Sequence, residues 1–232
     1  MRRSDNVQLW EGGNARALKR SLDVYSSSGR GTEGVFPEFY FFDCHSCHRR
    51  IYDQKDALRT GVNNPGRPIP EGMPPYNDEN MIMLSAAARV TAPDSAGEFD
   101  KASREFHAAL ALDRTMAIAA ARRLSIAADN LADDFASGSF GSSQAFAIID
   151  TIASDAIAAR LTDYEGSVQA VMAVDTLLSA LVRSGNLTQG AAAGIRANVN
   201  RAYDAVRDPN AYRPSDFRRS IGAAASAVRA LR

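Results

Sequence analysis

Apolar residues recur at helical spacing along three segments in the second half of the chain. The three stripes are Leu124, Ala128, Leu131 and Phe135; Val171, Val174, Leu178 and Leu181; and Phe217, Ile221, Ala224, Val228 and Leu231. Such spacing places the members of a stripe on one face of an α-helix. The pattern therefore predicts amphipathic helices that bury these faces against one another.

Stretches that disfavour helix separate these segments. "SGSFGSS" and "SGNLTQG" lie between helical patterns, and "DPNAYRPSD" precedes the last one. Alanine is abundant throughout, and it both favours helix and lets helix axes approach closely. From about Pro93 onward we predict an antiparallel bundle of five or six helices with no strands.

The first 90 residues have a different pattern, with six of the nine prolines and most of the glycine-rich loops. A helix is predicted over residues 5–25, and a second helix is predicted to start near Asn80. The inner face of the first helix is formed by Trp10, Leu18, Leu22 and Tyr25. We place a boundary near residue 92, between a first region of residues 1–92 and a helical bundle of residues 93–232.

Composition narrows the classes of function. Lys and Arg together number 27, as do Asp and Glu, so the formal net charge is zero. This balance offers no electrostatic reason to expect a nucleic-acid partner. No apolar run is long enough to predict a transmembrane segment. The N-terminus "MRRSDNVQLW" is basic but lacks the apolar core of a secretory signal.

The stretch "FFDCHSCHRRIYDQ" contains both cysteines and two of the three histidines. Cys44, Cys47 and His48 form a C-x-x-C-H motif, the attachment sequence of a c-type haem. Two thiols three positions apart can both reach one edge of a porphyrin, and the next imidazole can then ligate the iron. The motif predicts one covalent haem c on Cys44 and Cys47, with His48 as the proximal ligand.

Three other interpretations of the motif remain open. A thiol-redox C-x-x-C would also follow an aromatic run, although it needs a βαβ context that this helical chain lacks. A zinc site needs four ligands, and outside the cluster only His107 remains. A structural disulfide between Cys44 and Cys47 is the third interpretation.

A second motif, "EGMPPYNDENMIML", supplies a methionine in a proline-rich loop before an acidic helix start. With C-x-x-C-H upstream, this order of parts resembles that of class I c-type cytochromes, whose distal ligand is commonly the methionine of such a loop. The resemblance covers about the first 90 residues. It implies an all-α, cytochrome c-like haem domain with Met73 as the distal ligand, followed by the alanine-rich bundle.

The spacing departs from that family, because only 24 residues separate His48 from Met73. His107 is therefore an alternative distal ligand. It lies at the edge of an apolar helix stripe, and its simpler interpretation is a half-buried histidine on a helix face. Met81 and Met83 are expected in the core of the following helix.

Aromatic residues surround both motifs, and they form either the core of a small domain or the apolar wall around a macrocycle. These residues are Phe36, Phe39, Tyr40, Phe41, Phe42, Tyr52 and Tyr76. The two interpretations coincide if haem is present.

An iron with histidine and methionine ligands suits one-electron transfer. We expect an electron carrier, or a subunit of a larger assembly, that acts on a redox partner protein and uses the bundle for docking. Haem attachment takes place outside the cytoplasm, so we expect a periplasmic or exported protein whose signal sequence is absent from this numbering.

The alternatives are a haem sensor or peroxidase-like protein with an open or His107-ligated iron, a thiol-redox protein, and a purely structural helical protein. The pattern favours electron transfer over catalysis, and no residue is assigned as catalytic.

Overall fold

The computed structural model describes residues 6–27, 41–43, 76–138, 140–158 and 164–231, and these residues form eight α-helices. The helices are α1 (Asn6–Tyr25), α2 (Glu79–Thr91), α3 (Pro93–Leu110), α4 (Arg114–Ser137), α5 (Ser142–Ile157), α6 (Tyr164–Arg183), α7 (Gln189–Ala205) and α8 (Pro214–Arg229). No β-strand occurs in these ranges, where the one β-type contact is an isolated bridge between Phe42 and Tyr76. The predicted all-α fold class and helical bundle are confirmed.

Local chemistry accounts for where the helices begin and end. The side chains of Asp113 and Thr188 each accept a backbone N–H of the first turn of α4 and α7, at 2.9 and 3.2 Å. Pro93 and Pro214 open α3 and α8, where no backbone N–H is needed. Gly185 follows α6 with a positive φ of 76°, which glycine adopts without strain.

The predicted stripes form the core. Every member of the first two stripes is at most 1% exposed, and so are the first four members of the third. Leu231 was predicted to share that face, but it is 46% exposed and the prediction is wrong. The reason is that α8 ends at Arg229, so the helical periodicity no longer directs Leu231 toward the core.

Helices from both sides of residue 92 contribute to one hydrophobic core. Helix α1 packs along α4 and against α2, while α2 also packs against α5 and α6. Leu18 and Leu22 of α1 and Leu84 of α2 are all buried in these contacts. Most of the first 92 residues lie outside the described ranges, so the predicted division at 92 stays a prediction.

Among the described residues, α6 is the one helix long and apolar enough to cross a membrane by length and composition. A core helix passes the same test, and 56% of this apolar stretch is buried inside the protein. Val171, Leu177 and Leu178 face the other helices and are fully buried. Helix α6 is thus part of the bundle core and no clear transmembrane segment.

Candidate functional site

The predicted haem residues Cys44, Cys47, His48 and Met73 lie outside the described residues, whereas the chain on either side of them is described. Asp43 immediately precedes Cys44, and Tyr76 lies three residues after Met73. The arrangement of these flanking residues therefore shows how the segment of residues 44–75 is joined to the helices.

The two ends of segment 44–75 are held together by backbone contacts. Phe42 and Tyr76 form an antiparallel bridge, and the N–H of Asn77 donates to the carbonyl of Phe41 at 2.8 Å. Cys44 is only two residues from Phe42. The described residues that flank the two predicted haem-binding motifs are therefore adjacent.

An aromatic cluster lies beneath this point, with Tyr76 at its centre. The ring of Tyr76 is perpendicular to that of Phe106 at 4.9 Å and to that of Tyr25 at 6.0 Å. Phe41 lies nearly parallel to Tyr76 at 6.3 Å, and Phe42 contacts it edge-on at 6.2 Å. Such offset and edge-to-face pairs add to the stabilisation from burial alone. These rings form a packed aromatic core at the described residues that flank segment 44–75.

Four aromatic residues expected around the site lie outside the described ranges: Phe36, Phe39, Tyr40 and Tyr52. Whether these rings form the wall of a haem pocket stays a prediction.

The hydroxyl of Tyr76 is buried with its ring. It lies 3.1 Å from the Oγ atom of Ser21 on α1. Burial raises the pKa of Tyr76 well above its usual value of 10, although the bond with Ser21 opposes that shift. The phenol of Tyr76 therefore stays protonated. Its hydrogen bond with Ser21 connects the residue that follows segment 44–75 to α1.

His107 is fully buried and both of its ring nitrogens are engaged. Its Nδ1 atom lies 2.9 Å from the carbonyl oxygen of Ser103, one turn earlier on α3. Its Nε2 atom lies 2.9 Å from Oδ2 of Asp78, and the two side chains are 1% and 2% exposed. A carbonyl can only accept, so Nδ1 carries a proton and donates it. The contact between Nε2 and Oδ2 of Asp78 is the second hydrogen bond of the ring.

These contacts correct one of the two interpretations made from the sequence, and the ligand role of His107 stays a prediction. The expected half-buried histidine on a helix face is wrong, because Asp78 at the start of α2 covers the ring. A distal-ligand role for His107 would require one nitrogen to leave Ser103 or Asp78. The sequence indicates Asp78 only as an acidic residue at a helix start. Its contact with His107 could not be predicted, because no local pattern indicates which residues of α2 and α3 meet.

Met81 and Met83 lie in the core of α2, as predicted, at 2% and 3% exposure. The hydroxyl of Ser103 donates to the sulfur of Met81 at 3.7 Å. Within the described ranges, no three His, Cys, Asp or Glu residues are grouped closely enough to hold a metal ion.

Comparison of this chain with protein-family models, curated proteins and solved structures finds no match. The resemblance to class I c-type cytochromes therefore depends on the C-x-x-C-H motif and the methionine loop, together with the order in which they occur.

Proposed function

We propose that this protein is a monohaem c-type cytochrome that transfers single electrons. The observation that supports the proposal is the closure of segment 44–75 by the Phe42–Tyr76 bridge and the Asn77–Phe41 hydrogen bond. The attachment motif and the methionine loop are distant in sequence, yet Phe42 and Tyr76, which flank them, lie side by side. A haem site that takes its two axial ligands from both motifs needs such an arrangement.

The described flanking residues fit this cofactor. The base of the segment is apolar and aromatic, with Phe41 and Tyr76 at 3% and 2% exposure. A c-type haem supplies an iron that changes its charge by one electron when ligated on both faces. Cys44 and Cys47 would hold it covalently, with His48 on the proximal side and Met73 on the distal side.

The contacts of His107 favour Met73 as the distal ligand. An imidazole that donates through Nδ1 and is paired through Nε2 has no lone pair directed away from its partners. Ligation through Nε2 would also separate it from a carboxyl group that is almost fully buried, and removing a partner from a buried polar group is costly.

The helical bundle then serves as the scaffold that carries the haem segment. The residues around its base are Tyr25 of α1, Asp78 at the N-cap of α2, and Phe106 of α3. We propose a periplasmic or exported location, and a redox partner protein or larger assembly that docks on this scaffold.

Covalent attachment is the decisive test. The protein is produced in a host that attaches c-type haem, denatured, and examined for haem retained on a gel and for the corresponding added mass. His48→Ala should abolish the native haem spectrum, whereas His45→Ala, a histidine inside the same motif, should preserve it. Replacing both Cys44 and Cys47 by alanine should abolish retention.

Each contrary outcome identifies an alternative class. Two free thiols, or a Cys44–Cys47 disulfide without added mass, would contradict the haem proposal and favour thiol-redox chemistry or a structural role. Covalent haem that binds carbon monoxide in the unmodified protein would instead indicate an open iron, as in a sensor or peroxidase-like protein.

A further inference from the structure

We propose that the outward face of α4 is an interface at which two copies of this chain pair in antiparallel orientation. This α4 face consists of exposed residues of the helix and of the turn before it: Leu112, Met116, Ala119, Arg122, Ile126 and Asp133. The inference does not depend on the proposed function.

The α4 face has a concentration of exposed apolar side chains. Among the described residues, seven large apolar side chains are exposed, and three of them lie on this face: Leu112 at 67%, Met116 at 49% and Ile126 at 63%. The other four are dispersed over different helices or beyond their ends. Helices α1 and α3 both pack against α4. Burial of this group against a partner would remove it from water, which is favourable.

The charged residues of α4 are ordered along the helix. Its three basic residues precede Ile126 and its three acidic residues follow it: Arg114, Arg122, Arg123, Asp129, Asp133 and Asp134. The peptide dipoles of a helix favour acidic side chains at its start and basic ones at its end, so this order costs stability within one chain. A second α4 that lies antiparallel brings each basic half against an acidic half and offsets that cost. A parallel second helix would bring like charges together.

Arg122 and Asp133 are the charged residues of the α4 face. Arg122 is exposed and donates to the carbonyl oxygen of Ser26 at 3.4 Å, which is long for such a bond. Asp133 is exposed too, and it forms no ion pair with another described residue. By contrast, Arg123 at the edge of the face lies 3.5 Å from Glu105 of α3. Contacts within the chain therefore leave Arg122 and Asp133 able to pair with a second copy.

The positions of these two residues define the register of the pair. If Arg122 meets Asp133 of the second copy, the two-fold axis crosses α4 halfway between them, between residues 127 and 128. Helix α4 has 24 residues, so its centre lies between residues 125 and 126, only about 3 Å away. The two helices then overlap along most of their length, and the symmetry forms the ion pair twice. Ile126 of each copy lies beside the axis.

The α4 face is large enough for a specific interface. A helix of 24 residues is about 36 Å long, and a strip two helix diameters wide measures about 20 Å across. Such a strip covers about 700 Å² on each copy, close to the roughly 800 Å² of a standard interface. Interfaces of this size have micromolar or tighter affinity, which is within the range of a sedimentation measurement.

Sedimentation equilibrium of the full chain tests the pairing. A concentration series from about 1 to 100 μM covers the weakest affinity expected, and a reductant prevents Cys44 and Cys47 from linking two chains. The parent should form a dimer of twice the chain mass of 24.9 kDa. Ile126→Glu should raise the dissociation constant at least about tenfold, because it places a charge at the centre of the interface. Met172→Glu, at a residue of α6 that is 46% exposed, is the matched control and should change it less than about threefold.

Exchange of charges tests the antiparallel orientation. Arg122→Asp and Asp133→Arg should each weaken the dimer about tenfold, because each places like charges opposite one another. The double variant Arg122→Asp/Asp133→Arg restores opposite charges and should return the dissociation constant to within about threefold of the parent. Circular dichroism and thermal unfolding check that each variant is folded, which is expected because both side chains are exposed.

Four outcomes would overturn the inference. The first is a parent that stays monomeric throughout the series, and the second is a dimer that Ile126→Glu leaves intact, which would use another face. The third is a double variant that dimerises no more tightly than the two single variants. The fourth is a monomeric parent that Ile126→Glu destabilises, since the α4 face would then be covered within the chain. None of these outcomes affects the haem proposal, which the mass measurement decides.

Discussion

The backbone N–H of Asn77 donates to the carbonyl oxygen of Phe41 at 2.8 Å and closes segment 44–75 at its base. Cys44, Cys47, His48 and Met73 all lie within that segment. If the proposed haem is bound there, changes at the base of the segment should alter both the stability and the haem spectrum, whereas changes in remote helices should alter the stability alone.

The Ser21–Tyr76 hydrogen bond should contribute measurably to stability. Tyr76→Phe keeps the ring and should lower the free energy of unfolding by about 0.5–1.5 kcal/mol. Ser21→Ala should cost at least as much, because it leaves the buried phenol of Tyr76 without this partner. Urea unfolding of both single variants and the double variant measures the coupling. Strictly additive effects would contradict a direct bond between the two hydroxyls.

Under the proposed function, Phe106 should affect the haem spectrum through Tyr76, whereas an equally buried phenylalanine in α4 should not. Phe106 and Phe135 are both 0% exposed, but among the described rings Tyr76 contacts Phe106 and not Phe135. Phe106→Leu and Phe135→Leu should each destabilise the protein by roughly 1–2 kcal/mol. Only Phe106→Leu should weaken the near-red sulfur-to-iron charge-transfer band that the proposed Met73 ligation would give the oxidised protein. Equal weakening in both variants would indicate a general loss of order.

Helix α1 should be part of the folded bundle even without haem. Leu18 is 1% exposed and Leu9 is 58% exposed on the same helix. In haem-free protein, Leu18→Ala should lower the free energy of unfolding by about 2–5 kcal/mol. Leu9→Ala should change it by less than about 0.5 kcal/mol. If the two variants unfold alike, α1 is not packed in the haem-free state.

Asp23 should make the packing of α1 on α4 dependent on pH. Partial burial alone would raise the pKa of this carboxyl group, but hydrogen bonds from Lys19 at 2.8 Å and Ser125 at 2.6 Å outweigh burial and lower the pKa below 3.8. The ionised form is therefore favoured in the folded state. Its stabilisation is fully present above the unfolded pKa of about 3.9 and is lost as the pH falls through the lower folded value.

The difference in unfolding free energy between the parent and Asp23→Asn measures this effect. The parent should be the more stable protein near pH 6, and the difference should shrink toward pH 2. Ser125→Ala should reduce the same difference, since it removes one of the two hydrogen bonds. A difference that grows on acidification would contradict the assigned direction of the shift.

The sequence by itself determined the helical class and most of the core. Leu131 and Leu178 could be placed on buried faces because helical periodicity is a local property, encoded by residues three and four positions apart. Leu231 shows the limit of that reasoning, since periodicity has no meaning beyond the last turn of α8. The C-x-x-C-H motif is equally local, so its chemistry could be proposed from residue types and spacing.

The tertiary structure decided which distant residues meet. The Phe42–Tyr76 bridge, the Ser21–Tyr76 bond and the Asp78–His107 pair each join parts of the chain that no periodic pattern relates. The sequence allowed His107 to be a distal ligand or a half-buried histidine on a helix face, and its full burial against Asp78 corrects the second interpretation. The physical reason is that such contacts depend on how whole helices pack, and packing is set by the combined shape of many side chains rather than by any one of them.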